Sequence, residues 1–288
     1  MIKLKKPELN QSNIYDDCIN SIRSNERKAR LENSKDEVIS KSCEYDLLAL
    51  NENLSKISEH VEVEGGANKA DMVFVYDNKF SKKGQLARKY YDEIMLLAPY
   101  GRCPLCGQRQ VKTLDHYLPK SKFPTYSITP YNIIPACSDC NKDKTDNIAT
   151  WRGDETIHPY YDDFNDELWI KAELVEDNPV SFQFYTQKPE RWDETKYFRA
   201  KTHFEKFGLN KLYKPYASEM FIGAFSRLKR LYDKTDEQET KDEIIECIRD
   251  EQKHGLNSWQ SVMYSSIYES DWFWSVYIRN DRLNYITM

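Results

Sequence analysis

Cys103-Pro-Leu-Cys106, Val111-Lys-Thr-Leu-Asp115-His116-Tyr-Leu-Pro119-Lys-Ser121, Tyr131-Asn132-Ile-Ile-Pro135 and Cys137-Ser-Asp-Cys140-Asn141-Lys-Asp-Lys144 follow one another in a single stretch of this chain. Thirty residues, Gly107 to Ala136, separate the two Cys-x-x-Cys pairs. Each pair is a knuckle that aims two thiolates at one point, and two knuckles make a closed tetrahedral site for Zn²⁺. Four sulfur ligands leave no open position, so such a zinc holds structure and does no chemistry. The competing reading is a thioredoxin-type redox pair. Two pairs in a chain with no matching βαβ pattern favour the metal.

Between the knuckles, Val111 to Tyr117 reads as a short β segment ending in Asp-His. A loop rich in Pro, Ser and Lys follows, then an extended piece around Ile133-Ile134. Ser138 is a good N-cap for a helix carrying Asn141 and Lys144. Strand, loop, strand and helix around one zinc make a compact ββα unit in which Asp115, His116 and Asn141 can converge. Phosphodiester hydrolysis suits those residue types. A hard cation takes oxygen ligands such as an Asp carboxylate and an Asn carbonyl, and a nearby His deprotonates water near neutral pH. A lysine on the helix can hold a neighbouring phosphate.

This segment resembles the HNH endonucleases, the ββα-metal nucleases. The family pattern is matched by Asp115-His116, Pro119-Lys-Ser121, Asn132-Ile133 and Cys137 to Lys144. The resemblance implies that His116 is the general base and that Asp115 and Asn141 bind the catalytic divalent ion. It makes Asn132 the central Asn that pins the loop and supports the base. Cys103, Cys106, Cys137 and Cys140 become the ligands of a structural zinc. Lys144, Lys120 and Lys122 are the candidate phosphate contacts. Two departures stand out: Lys122-Phe-Pro-Thr replaces the glycine pair that often follows the Ser, and Asn141 replaces a His, which favours Mg²⁺ or Mn²⁺.

Outward from this stretch the chain is acidic. Its 288 residues carry a net charge of -5. From Gly101 to Thr145 there are seven basic and three acidic residues, so this island carries +4 and the remainder -9. An electropositive island in an acidic chain points to an anionic ligand at one place. The flanking segments are the wrong sign for clamping nucleic acid broadly. A mean hydropathy of -0.80 describes a very soluble chain. The longest apolar runs are too short for a membrane span, and no apolar segment near Met1 suggests a signal peptide. Cys18, Cys43 and Cys247 stand alone and read as core thiols. An odd cysteine count suits a reducing cytoplasm better than a disulfide framework.

The expected fold is mainly α with a small α+β insert: an N-terminal helical region over 1–99, a nuclease core over 100–165, and a β-hairpin with C-terminal helices over 166–288. Residues 8–60 have helical spacing. Met72 to Tyr76 reads as a short strand or buried segment, and Lys82 to Leu97 as a helix. Leu168 to Phe184 alternates as a hairpin around Asp177-Asn-Pro179. The last helix, Asp271 to Arg282, is rich in aromatics that read first as core. His158 reads as a loop residue with a satisfied hydrogen bond.

More loosely, the order of segments resembles the HNH subunit of Septu-type anti-phage defence systems, which implies an ATPase partner, with the C-terminal aromatic helix as the first guess for the contact. The readings that follow are a metal-dependent nuclease acting on DNA, a zinc-stabilised binding subunit with an unused site, and a redox protein.

Overall fold

The computed structural model describes residues 1–280 apart from Asn147 and Asn178. The chain divides into two compact units, Ile2–Asp163 and the residues from Phe164 onward, with Met1 joining the second.

The first unit opens with three helices: α1 (Gln11–Ile19), α2 (Asn25–Asn33) and α3 (Lys35–Leu50). Asn10 caps α1 by accepting from the Asn13 N–H, and Ser24 caps α2 from Arg27. Next comes α4 (Lys69–Val75), which runs into a π turn over Tyr76–Phe80. The Met72–Tyr76 segment is therefore helical and not a strand. Its five apolar residues fit either period, but Asn68 supplies a helix cap, and Met72, Val75, Tyr76 and Phe80 all fall on the buried side. Helix α5 (Arg88–Leu96) starts six residues later than its hydrophobic pattern suggests, because the chain turns at Gly84 with φ +81°. Leu86 is exposed as a result.

Strands β1 (Thr113–His116) and β2 (Ile133–Ala136) pair antiparallel, with Thr113 opposite Ala136 and His116 opposite Ile133. Helix α6 (Ser138–Lys144) follows directly and packs on β1. Two four-residue strands cannot stand alone. Here α5 covers both strands, and Leu114, Ile128 and Ile133 join one core with Ile14, Tyr15, Leu31, Val38, Met72, Val75, Phe80 and Ile94. The N-terminal helices and the cysteine-bracketed segment thus share a hydrophobic core.

The second unit contains β3 (Ile170–Val175) and β4 (Ser181–Thr186), an antiparallel hairpin with Ile170 opposite Thr186. It is followed by α7 (Glu194–Lys206), α8 (Leu209–Lys234), α9 (Glu237–Gln252) and α10 (Trp259–Glu269). Gly208 lets the chain turn between α7 and α8 at φ +56°. Helices α8 and α10 pack on the hairpin, and Phe182 and Phe184 point inward as the alternation predicts. The aromatic segment forms a π turn over Phe273–Tyr277. Phe273, Trp274, Tyr277 and Ile278 are buried, with Phe273 and Tyr277 packed against Phe221 and Phe225. Those side chains are core, which removes them as a docking face. The expected continuation to Arg282 lies outside the described residues. Among the described residues, no helix is long and apolar enough to cross a membrane.

Candidate functional site

Cys103, Cys106, Cys137 and Cys140 are buried and their Sγ atoms all lie within 4.8 Å of one another. Tetrahedral zinc with Zn–S near 2.3 Å spaces its sulfurs about 3.8 Å apart, so the cluster fits a Zn(Cys)₄ centre. The knuckles also donate to their own sulfurs: the Arg109 N–H points at Cys106 Sγ (3.4 Å) and the Cys140 N–H at Cys137 Sγ (3.3 Å). Backbone donors of this kind favour the thiolate. Within the cluster, hydrogen bonds with Cys103, Cys137 and Cys140 push Cys106 down, and those with Cys103, Cys106 and Cys137 push Cys140 up. Cys137, and not Ser138, is the N-cap of α6, so one knuckle is also the start of that helix. Arg109, which no motif flagged, joins the knuckles: its Nε meets Asp139 Oδ2 at 2.9 Å.

At the other end of α6 lies a cavity of about 220 Å³ lined by Asp115, His116, Pro119, Lys120, Ser121, Asn141, Lys144, Thr145 and Asp146. Neighbouring strand residues normally point to opposite faces. Asp115 and His116 share the cavity because β1 ends at His116. Asp115 is buried, and its Oδ1 accepts from the His116 N–H at 2.8 Å. Asn141 sits on α6 one turn before Lys144.

His116 is 7% exposed, and the Tyr76 ring meets it edge-on at 4.3 Å. Its Nε2 lies 2.8 Å from the Ser127 carbonyl oxygen. A carbonyl only accepts, so Nε2 carries the proton and Nδ1 keeps the lone pair. Burial is the main influence on this ring and lowers its pKa to about 3; the Ser127 carbonyl opposes that shift, and Lys120 and Lys144 add to it. The imidazole is neutral at pH 7.

Asn132 is fully buried and does not line the cavity. Its Oδ1 accepts from the Leu118 N–H (2.7 Å), and its Nδ2 donates to the carbonyls of Leu118 (3.0 Å) and Tyr126 (3.1 Å). It ties down the loop that presents the Ser127 carbonyl to His116. These hydrogen bonds all go to the loop backbone, away from the cavity lining.

Lys120 and Lys122 are partly exposed and pair with Asp77 and with Glu59 (3.6 Å) respectively. Lys144 differs from both. It is 5% exposed, and its Nζ donates to the His116 and Tyr117 carbonyls. Spacing alone suggested neither this nor the Ser121 Oγ to Asp146 Oδ2 hydrogen bond (2.8 Å) at the cavity. His158 lies in the core, its ring tilted at 32° to that of Tyr117 with centroids 4.2 Å apart, with Nε2 3.2 Å from the Tyr45 hydroxyl and Nδ1 accepting from the Tyr160 N–H.

Residues 103–147 match the HNH endonuclease family. Over 225 residues the chain is 32% identical to Protein ea31 of Escherichia phage lambda, covering 73% of this chain and 76% of that one. The chain belongs to the same family as that phage protein, and its residues 103–147 are an HNH endonuclease domain. Its HNH domain makes it a nuclease, a phosphodiester hydrolase. No solved structure matches it. Every residue that lines the cavity, and each of the four cysteines, lies within the matched segment.

Proposed function

We propose that this HNH nuclease cleaves DNA at the cavity between the end of β1 and α6, with His116 as general base. The observation that carries the reading is the Ser127 carbonyl on Nε2, which leaves Nδ1 as the proton acceptor of a neutral imidazole whose residue lines the cavity with Asp115 and Asn141. A carboxylate and an amide oxygen form a hard donor set that fits Mg²⁺ or Mn²⁺. When bound, such an ion neutralises charge on the phosphate and leaving oxygens. His116 Nδ1 takes a proton from water, the water oxygen bonds to phosphorus, and the P–O bond to the leaving nucleotide breaks. Asp115 and Asn141 hold the cation, while Lys120 and Lys122 exchange their carboxylate partners for flanking phosphates. The Cys103, Cys106, Cys137 and Cys140 zinc fixes the start of α6, and through it Asn141.

The test is plasmid cleavage with Mg²⁺ or Mn²⁺, comparing the intact chain with His116→Ala. Cleavage that disappears with the imidazole supports the assignment; equal cleavage by both proteins refutes it. The likeness to a defence-system subunit with an ATPase partner rests on the order of sequence segments alone, and adding an ATPase candidate to the same assay tests it.

A further inference from the structure

Lys144 stands on the last turn of α6, three residues beyond Asn141. Its ammonium has three donors. They face the His116 carbonyl, the Tyr117 carbonyl at 2.7 Å and Asp115 Oδ2 at 3.6 Å. The Tyr117 ring lies below it at 5.6 Å. Both carbonyls belong to buried residues at the point where β1 ends and the ladder with β2 stops. Buried carbonyls need donors, and here one side chain of α6 supplies them.

We propose that Lys144 is a positioning residue: it locks the end of β1, with Asp115 and His116, against the turn of α6 that carries Asn141. This deepens the nuclease reading above and rests on it. The cation ligands Asp115 and Asn141 come from different elements, so their separation is set by whatever ties β1 to the end of α6. Lys144 is that tie, with each of its donors directed at the strand end. A phosphate would have to displace two main-chain carbonyls to reach it. Lys120 and Lys122, partly exposed and each paired with a carboxylate, are the ammonium groups available to phosphate. The zinc holds the first turn of α6 and Lys144 the last, so the two cross-links fix the helix at both ends.

The experiment uses the full zinc-loaded chain as wild type, Lys144→Met and Lys144→Arg. Four quantities are measured: zinc content, binding of a short DNA duplex over a range of salt without divalent ion, Mn²⁺ affinity by electron paramagnetic resonance, and kcat. The expected result for Lys144→Met is unchanged zinc and an unchanged slope of log affinity against log salt. Mn²⁺ binding weakens, and kcat falls on the order of 100-fold, the cost of a misplacement of about 1 Å. Lys144→Arg recovers part of both. A salt slope reduced by about 0.9, with Mn²⁺ affinity intact, overturns the proposal and makes Lys144 a phosphate contact. Unchanged Mn²⁺ affinity and kcat overturn it as well. If Lys144→Met loses its zinc, the Arg variant is judged by the same criteria. A wild type that binds Mn²⁺ but cleaves nothing defeats the nuclease reading, and the Mn²⁺ titration still decides the role of Lys144.

Discussion

Replacing Asn132 by Ala removes the side chain that holds the loop between β1 and β2. The wild-type amide satisfies three buried main-chain groups: the Leu118 N–H, the Leu118 carbonyl and the Tyr126 carbonyl. Leu118 and Tyr126 are themselves buried, so water does not readily replace the lost partners. The Tyr126 carbonyl keeps the Thr129 N–H at 3.2 Å, so two groups, both on Leu118, are orphaned; at about 1–3 kcal/mol each the destabilisation is roughly 2–6 kcal/mol. In a unit of this size 1 kcal/mol moves Tm by about 2–4 °C, so a fall of about 4–24 °C is expected. Thermal and urea denaturation of the zinc-loaded protein measure it. Cleavage falls too, because the loop carries the Ser127 carbonyl that sets the His116 tautomer. Asn132→Asp keeps the acceptor for Leu118 but turns an oxygen toward two carbonyls. It is no milder than Ala at neutral pH and improves as acid protonates it. A loss under about 1 kcal/mol for Asn132→Ala, with cleavage intact, refutes the argument that this amide closes the loop.

Three further outcomes follow from the site. Cys137→Ser, or a strong chelator, unfolds the segment around residues 103–144, since structural zinc binding contributes about 10–16 kcal/mol of folding free energy; unchanged circular dichroism after zinc removal contradicts this. His116→Ala lowers cleavage by about 10²–10⁴-fold, the usual worth of a general base, while duplex binding in a gel-shift assay stays the same. Stability depends on pH through His116, whose folded pKa of about 3 lies below its ordinary value of 6.5. Between those values the unfolded chain binds more protons, so stability rises with pH across that window and levels off above it. Urea titrations of wild type and His116→Gln at matched pH values check this, and a window of equal slope in both proteins counts against it.

Much of the chemistry was readable along the chain. The two Cys-x-x-Cys pairs announced their cluster because a knuckle is a local structure, closed by hydrogen bonds within a few residues such as Arg109 to Cys106. Asp115, His116 and Asn141 stand in the segment that matches the HNH endonuclease family, residues 103–147, and the fold brings them to one cavity. The β3–β4 hairpin was legible because alternation is local too.

What only the tertiary structure decided lies in contacts between residues far apart in sequence. Met72 to Tyr76 turned out helical because the fold needed a helical face, ending in Tyr76, against His116 and the core. The base assignment of Nδ1 depends on the Ser127 carbonyl, eleven residues from His116, and no motif names that carbonyl. Lys144 looked like a phosphate contact by its place in the pattern, yet folding β1 against α6 drew its ammonium into the interior, onto two carbonyls. Sequence determined which groups are present and which are held close by short loops. Which of them face water, and which spend their hydrogen bonds on the backbone, followed from burial, because an interior carbonyl or amide must find its partner in the fold.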